Sequence, residues 1–207
     1  MDNHQEEREL MVEYQIKARG VMDRKVLDAI KKVPRHRFVP LYEQSSSYSD
    51  SPLPIGHGQT ISQPYIVAYM TELLELKGEE KVLELGTGCG YQTAVLAEIV
   101  REVYTIEIIE VLGKHAKQLL TNDLNYANIF FRFANGRDGW SEHAPFDRIL
   151  LTAAPPEFPE NLFEQLADEG IAVAPVGDYF QRIIKYRKLN GKIKTEALIG
   201  VSFVPFV

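Results

Sequence analysis

The sequence predicts an α/β fold: a mostly parallel, doubly wound sheet with an antiparallel C-terminal edge and accessory helices at the N-terminus. Three observations carry this. From residue 65 onward, apolar runs of strand length alternate with helically spaced segments, as successive β-α-β units require. One run, Val82-Leu83-Glu84-Leu85, passes through Gly86, Gly88 and Gly90 into the helix-forming stretch Gln92-Thr93-Ala94-Val95-Leu96-Ala97. The chain then ends in two strand-like segments joined by Asn190-Gly191, a hairpin signal.

The elements follow in order. Leu10, Met11, Tyr14, Ile16 and Ala18 recur at helical spacing over residues 6–20, with Gly20 as the stop. Asp23 caps a second helix carrying Val26, Leu27, Ala29 and Ile30, which ends before Pro34. Residues 42–64 show no clear period, yet contain Tyr48, Leu53, Ile55 and Ile61, so an ordered functional loop is expected rather than disorder. A helix over 64–76 starts at Pro64, which suits a first helical turn, with Ser62 as its cap or the cap's neighbour.

After the glycines come a helix over 91–100, a strand over 102–107, a helix over 110–124 and a strand over 128–133. Residues 135–140 are turn-rich. A strand over 146–152 is broken by Ala153-Ala154-Pro155-Pro156; a short helix with Leu162, Phe163 and Leu166 precedes the apolar run 171–176. Strands over 181–189 and 194–207 close the chain.

Composition narrows the function. The chain has 207 residues, 45% hydrophobic and 25% charged, enough to bury a substantial core in one domain. Its net charge is −6 and its basic runs are no longer than Lys31-Lys32, which argues against a nucleic-acid surface. A single cysteine, Cys89, excludes an internal disulfide framework and a cysteine metal cluster. No apolar run has transmembrane length and the N-terminus has no apolar signal core, so a cytoplasmic protein is expected.

The glycine spacing discriminates between ligands. A dinucleotide fingerprint would place its third glycine at Tyr91, so NAD is disfavoured. Gly86-x-Gly88-x-Gly90, with Glu84 two residues ahead, resembles the S-adenosylmethionine loop of Rossmann-type methyltransferases. Glu107 ends the next strand 21 residues after Gly86, where a carboxylate can bind both ribose hydroxyls. In an open α/β sheet the ligand lies at the carboxyl ends of the strands. Segments 86–91, 107–110, 135–138 and 152–156 therefore share one rim, with Asn135-Gly136 where adenine would lie.

Beyond this loop, the chain resembles a bacterial-type protein-L-isoaspartate O-methyltransferase over residues 22–206. The motifs that carry the resemblance are Asp50-Ser51-Pro52-Leu53-Pro54-Ile55-Gly56, Gly58-Gln59-Thr60-Ile61-Ser62-Gln63-Pro64 and the stretch 82–91. Thr152-Ala153-Ala154-Pro155-Pro156-Glu157 and Val201-Ser202-Phe203-Val204-Pro205 complete them. The Gly-Gln-Thr-Ile-Ser block is the family-specific signal; the glycine loop alone indicates only a methyltransferase.

The resemblance implies one methyltransferase domain over 1–207: accessory helices 1–40, a covering loop 41–64 and a Rossmann-like core 65–207. It implies methyl transfer from S-adenosylmethionine to the free α-carboxylate of L-isoaspartyl residues in damaged proteins and peptides. A monomer that binds neither nucleic acid nor membrane is expected. Ser62 becomes the active-site serine, read as a positioning donor rather than a nucleophile. Thr60 supports its loop, and Ile55, Gly56, His57, Gly58 and Gln59 cover the methionine end of the cofactor. Glu84, Gly86, Thr87, Gly88, Cys89, Gly90, Glu107, Asn135 and Gly136 are the other expected cofactor contacts, with Tyr91 and Gln181 as weaker candidates. Ala153, Ala154 and Pro155 form a small-residue wall along which an extended peptide runs by backbone pairing, with contact from 201–205.

Cys89 reads as a small residue of the loop rather than a nucleophile. His4, His36, His115 and His143 are scattered and no pair has metal-ligand spacing, so no metal is expected. Two alternatives stand beside this reading. One is a Rossmann methyltransferase for nucleic acid or a metabolite, against which Thr152-Ala153-Ala154-Pro155-Pro156 lacks the aromatic that grips a flipped base. The other is a non-catalytic peptide-binding homologue, against which Glu107, Ser62 and the glycine loop are all present.

Overall fold

The computed structural model describes residues 4–206; residues 1–3 and 207, which the domain expectation includes, lie outside them. Its main sheet has seven strands: β3 (Lys81–Leu85), β4 (Glu102–Glu107), β5 (Ile129–Phe133), β6 (Phe146–Leu151), β7 (Leu166–Val176), β8 (Gln181–Leu189) and β9 (Lys192–Val201). Their spatial order is β5-β4-β3-β6-β7-β8-β9. The first five pair in parallel, and β8 and β9 add antiparallel. Chain order reverses at β3, which lies between β4 and β6, so the crevice at its carboxyl end is the topological switch point.

Alternation along the strands creates two cores. Val82, Val103, Leu150, Ile171 and Val173 face one side, while Leu83, Leu85, Tyr104, Ile106, Ile149 and Ala172 face the other. The first side is covered by α2 (Arg24–Lys32), α3 (Pro64–Leu73) and α4 (Tyr91–Ala97), whose Ile30, Val67, Ala94 and Leu96 are buried there. Helix α1 (Gln5–Leu10) is bonded to α2 by Arg8, which donates to the Lys31 and Lys32 carbonyls. Gly20 ends the first helical segment at φ 96, and Asp23 caps α2 by accepting from the N–H groups of Lys25 and Val26. On the second side Leu162, from the short helix Asn161–Gln165, packs with Phe146 and Phe158.

The structure departs from the expected elements in several places; α4, for one, ends at Ala97 rather than 100, and β7 begins at Leu166 rather than 171. The irregular stretch 42–64 contains a hairpin, β1 (Leu53–Gly56) and β2 (Gln59–Ile61), with Leu53, Ile55 and Ile61 buried. Strands of four and three residues, one bearing Pro54, are too short to display a period of two. Helix α3 stops at Leu73 rather than at 76, because Glu75 adopts φ 53. The last strand ends at Val201, not 207. Beyond it the chain crosses to β6's exit: Ala154 donates to the Val204 carbonyl and accepts from the Phe206 N–H, both at 2.9 Å.

Asp23→Ala is expected to lower stability by about 1 kcal/mol through loss of the α2 cap. A thermal-melting comparison checks this; an unchanged melting temperature would mean the cap bonds are not formed in solution.

Candidate active site

The cleft opens at the carboxyl ends of β3, β4 and β6. Its floor is the turn after β3. Gly86 sits at φ 105, and a Cβ there would overlap the Thr152 hydroxyl. Thr152 Oγ1 instead donates to the Gly86 carbonyl at 2.5 Å, clamping the turn against the end of β6. The Gly88 N–H donates to Glu107 Oε2 at 2.7 Å, and Ile109 N–H donates to Glu107 Oε1 at 2.8 Å. One carboxylate thus ties the β3 and β4 loops together. Each of its oxygens keeps lone-pair capacity for a further donor.

Beneath the turn lies Glu84, fully buried. Its Oε2 accepts from Thr93 Oγ1 at 2.6 Å and Thr105 Oγ1 at 2.7 Å, while Oε1 has no partner among the described residues. Burial pushes its carboxyl up to about 8; the two threonine bonds oppose this and the Glu107 charge adds to it. Glu84 is therefore a neutral acid at pH 7. It does not line the cleft, which corrects the expectation of direct cofactor contact: its bonds join α4 and β4 instead.

The expected residues divide clearly. Gln59, Thr60, Ser62, Gly86, Thr87, Gly88, Cys89, Tyr91, Glu107, Gly136 and Ala153 all line the cleft. Ile55, Gly56, His57 and Gly58 do not: Ile55 is buried near the glycine turn, and the other three form an exposed hairpin tip with positive φ. Gly90 also stays out of the lining and serves as the left-handed N-cap of α4. Asn135 is exposed, and its Oδ1 accepts from the Arg137 N–H at 2.9 Å, so it caps a short turn instead of facing the cleft. Gln181 is likewise diverted, with both side-chain ends bonded to the Phe203 backbone.

The peptide wall also needs correction. Ala154 has its N–H and carbonyl paired with residues 204 and 206, and the Pro155 carbonyl accepts from Gly177 N–H. The backbone edge expected to hold substrate is occupied by the chain's own C-terminal segment. Of the three wall residues, Ala153 alone lines the cleft, joined by Val204, Pro205 and Phe206.

Ser62 lies one residue before the α3 cap, Gln63. Its carbonyl accepts from Arg35 Nη2 at 2.8 Å, and its hydroxyl has no bond to another described residue. Sequence reasoning missed Arg35. It is fully buried, its Nε donates to the Ser47 carbonyl at 2.8 Å, and its guanidinium lies 4.8 Å from the centre of the Tyr91 ring. Burial lowers its pKa, while Tyr91, Cys89 and Tyr48 counter that. An arginine in a basic stretch gives no sign of burial. Ile108, Ile109, Val67 and Gln92 were also missed as lining residues; the Ile-Ile pair after Glu107 was the available signal.

Cys89 is half-buried, and burial pushes its thiol up to about 11, so it is not a thiolate nucleophile at neutral pH. Among the described residues no group of three or more His, Cys, Asp and Glu is placed to hold a metal ion. No helix among them is long and apolar enough to cross a membrane.

These features coincide with known proteins. A family model described as protein-L-isoaspartate(D-aspartate) O-methyltransferase matches residues 5–207. The protein-L-isoaspartate O-methyltransferase of Picosynechococcus sp. is 52% identical over 198 residues, covering 96% of this chain and 89% of its own. That of Petrotoga mobilis is 51% identical over 210 residues, covering 100% and 98%. A solved protein-L-isoaspartate O-methyltransferase superposes with a TM-score of 0.87 at 27% identity, covering 96% of this chain and 65% of its own. A Plasmodium falciparum chain assigned the same activity, crystallised with S-adenosyl-L-homocysteine, gives 0.84 at 27% identity, covering 100% and 99%.

The raised Glu84 pKa has a direction in stability. The native state keeps a proton that the unfolded state releases, so stability falls as pH rises from about 4.5 to about 8. Glu84→Gln cannot ionise, and its melting temperature should lose that slope. Parallel slopes for variant and wild type across this window would show that Glu84 is ionised in the fold.

Proposed function

The chain belongs to the protein-L-isoaspartate(D-aspartate) O-methyltransferase family, and from that premise we infer how its cleft performs the reaction. The enzyme transfers a methyl group from S-adenosylmethionine to the free α-carboxylate of L-isoaspartyl residues in proteins and peptides. When bound, S-adenosylmethionine supplies an activated methyl on a sulfonium. The product ester carries methoxide, a better leaving group than the oxide a carboxylate would have to lose. The backbone nitrogen therefore attacks the ester carbonyl and closes the succinimide with release of methanol; hydrolysis of the succinimide returns part of the chain to aspartyl linkage.

The residues fit this cofactor. The absent Cβ of Gly86 keeps the turn low, and Glu107 retains acceptor capacity for ribose hydroxyls. We assign Gly86, Thr87, Gly88 and Cys89 to the amino-acid end, Glu107 to the ribose, and Ile108 with Gly136 to the adenine. Ile108 is exposed on the cleft wall, as a base-stacking surface would be.

The substrate brings its own nucleophile. A carboxylate with a pKa of about 3 to 4 is ionised at pH 7, so no general base is needed. The enzyme's share is orientation and exclusion of water, which can supply roughly 7–11 kcal/mol. Ser62 is proposed to donate its hydroxyl to the substrate carboxylate. The Arg35 bond to its carbonyl supports this by fixing the backbone that carries that hydroxyl. Thr60 and Ala153 are proposed to border the substrate from opposite sides of the cleft.

Residues 1–207 are proposed to act as one methyltransferase domain, with 1–40 packed as accessory layer, 41–64 as cover and 65–207 as core. A family match over 5–207 supports it. A cytoplasmic monomer that avoids nucleic acid is the companion proposal, of which the net charge of −6 supports the last part.

The carrying observation is the cleft that places Ser62, the glycine turn and Glu107 around one space. The test is methyl transfer from labelled S-adenosylmethionine to one peptide in aspartyl and L-isoaspartyl forms. Base-labile label is expected on the isoaspartyl form alone; equal label on both would overturn the substrate. Ser62→Ala should lower kcat by roughly 10- to 100-fold while leaving S-adenosylhomocysteine affinity intact. An unchanged kcat would remove Ser62 from the mechanism.

A further inference from the structure

Among the described residues, the turn between β7 and β8 carries the two most exposed large apolar side chains: Tyr179 at 96% and Phe180 at 95%. Two adjacent aromatic rings left in water form a contiguous apolar patch, the kind of surface that marks interaction sites. The turn that presents them is fixed. Gly177 N–H donates to the Pro155 carbonyl at 2.9 Å. Gly177 holds φ 125, where an added Cβ would overlap the Phe180 carbonyl. At its far end the Gln181 side chain brackets Phe203, donating to its carbonyl at 3.1 Å and accepting from its N–H at 2.6 Å.

Both anchors adjoin the cleft. Pro155 lies two residues beyond Ala153, and Phe203 directly precedes Val204; Ala153 and Val204 are lining residues. Strand β7 runs parallel to β6 and β3, so its carboxyl end opens on the same rim as the glycine turn. Two bare rings therefore stand on a turn bonded at both ends beside a site whose substrate is a polypeptide.

We propose that Tyr179 and Phe180 dock apolar side chains of the substrate polypeptide that flank the isoaspartyl residue, and so give the enzyme a sequence preference. This rests on the isoaspartyl reading above. The occupant follows from continuity with the cleft: a chain whose modified residue enters it must leave across the rim. Backbone pairing is not offered at Ala154, whose N–H and carbonyl are taken by residues 204 and 206. Side-chain contact with the rings can hold a flank in its place. Such contact works by buried area, so it favours apolar neighbours without demanding one sequence.

The test compares two synthetic L-isoaspartyl peptides, one flanked by leucine and phenylalanine, the other by serine and glycine. The wild type should show the lower KM for the apolar peptide. In the double variant Tyr179→Ser/Phe180→Ser, that KM should rise about tenfold, the factor given by ~1.4 kcal/mol, with kcat within about twofold. The serine–glycine peptide should be unaffected, and Tyr179→Phe/Phe180→Tyr should restore wild-type behaviour. An equal loss on both peptides, a fall in kcat alone, or no change would overturn the proposal. So would self-association that the double variant abolishes while peptide kinetics stay constant. A wild type that methylates neither peptide would overturn the isoaspartyl reading itself, and this proposal with it.

Discussion

The N–H of Gly88 donates to the Glu107 carboxylate at 2.7 Å, and much of the site depends on that bond. A charge-assisted bond of this kind is roughly twice as strong as a neutral one. It holds the turn after β3 against the end of β4, while the second oxygen orients the next loop through Ile109. Directly below, the Thr87 and Thr105 hydroxyls are 2.6 Å apart, and Thr105 donates to Glu84. A second ionised carboxylate in this layer would repel Glu107 without water to screen it. Burial solves this by keeping Glu84 protonated. The turn is thus tied directly by one charged carboxylate, while the neutral carboxyl below it is bonded to Thr93 of α4 and Thr105 of β4.

The substrate side is built from the two ends of the chain. Arg35, from the N-terminal layer, reaches the carbonyls of Ser47 and Ser62 and fixes the loop that carries the serine. Residues 204–206, from the C-terminus, close the exit of β6 and add Val204, Pro205 and Phe206 to the cleft. Packing of Phe206 over Gly136, where a Cβ would lie 3.3 Å from its ring, connects that segment to the loop after β5. A core of parallel strands supplies the cofactor rim, and the flanking segments turn it into a site for a polypeptide.

The sheet and the glycine turn were legible because their causes are local. A buried parallel strand must be apolar, and a turn at φ 105 wants glycine, so both leave a mark in the sequence. The β1–β2 hairpin was not legible, since its strands are too short to show alternation. Glu84 was misplaced because strand position reveals which face a side chain takes, but not that two threonines from other elements await it. Asn135 and Gln181 were misplaced for a related reason: their amide groups found backbone partners nearer than any ligand. Ala154 shows the limit most plainly. Its small side chain suggested a free peptide edge, and its partner lies some fifty residues further along the chain.

The central claim is that Glu107 links the order of the glycine turn to cofactor binding. Calorimetric titration of S-adenosylhomocysteine into wild type and Glu107→Gln tests it directly. Affinity should fall at least about tenfold in the variant, from loss of the charge-assisted bonds to the turn and to ribose, with the fold retained by circular dichroism. Equal affinity in the two proteins would contradict it.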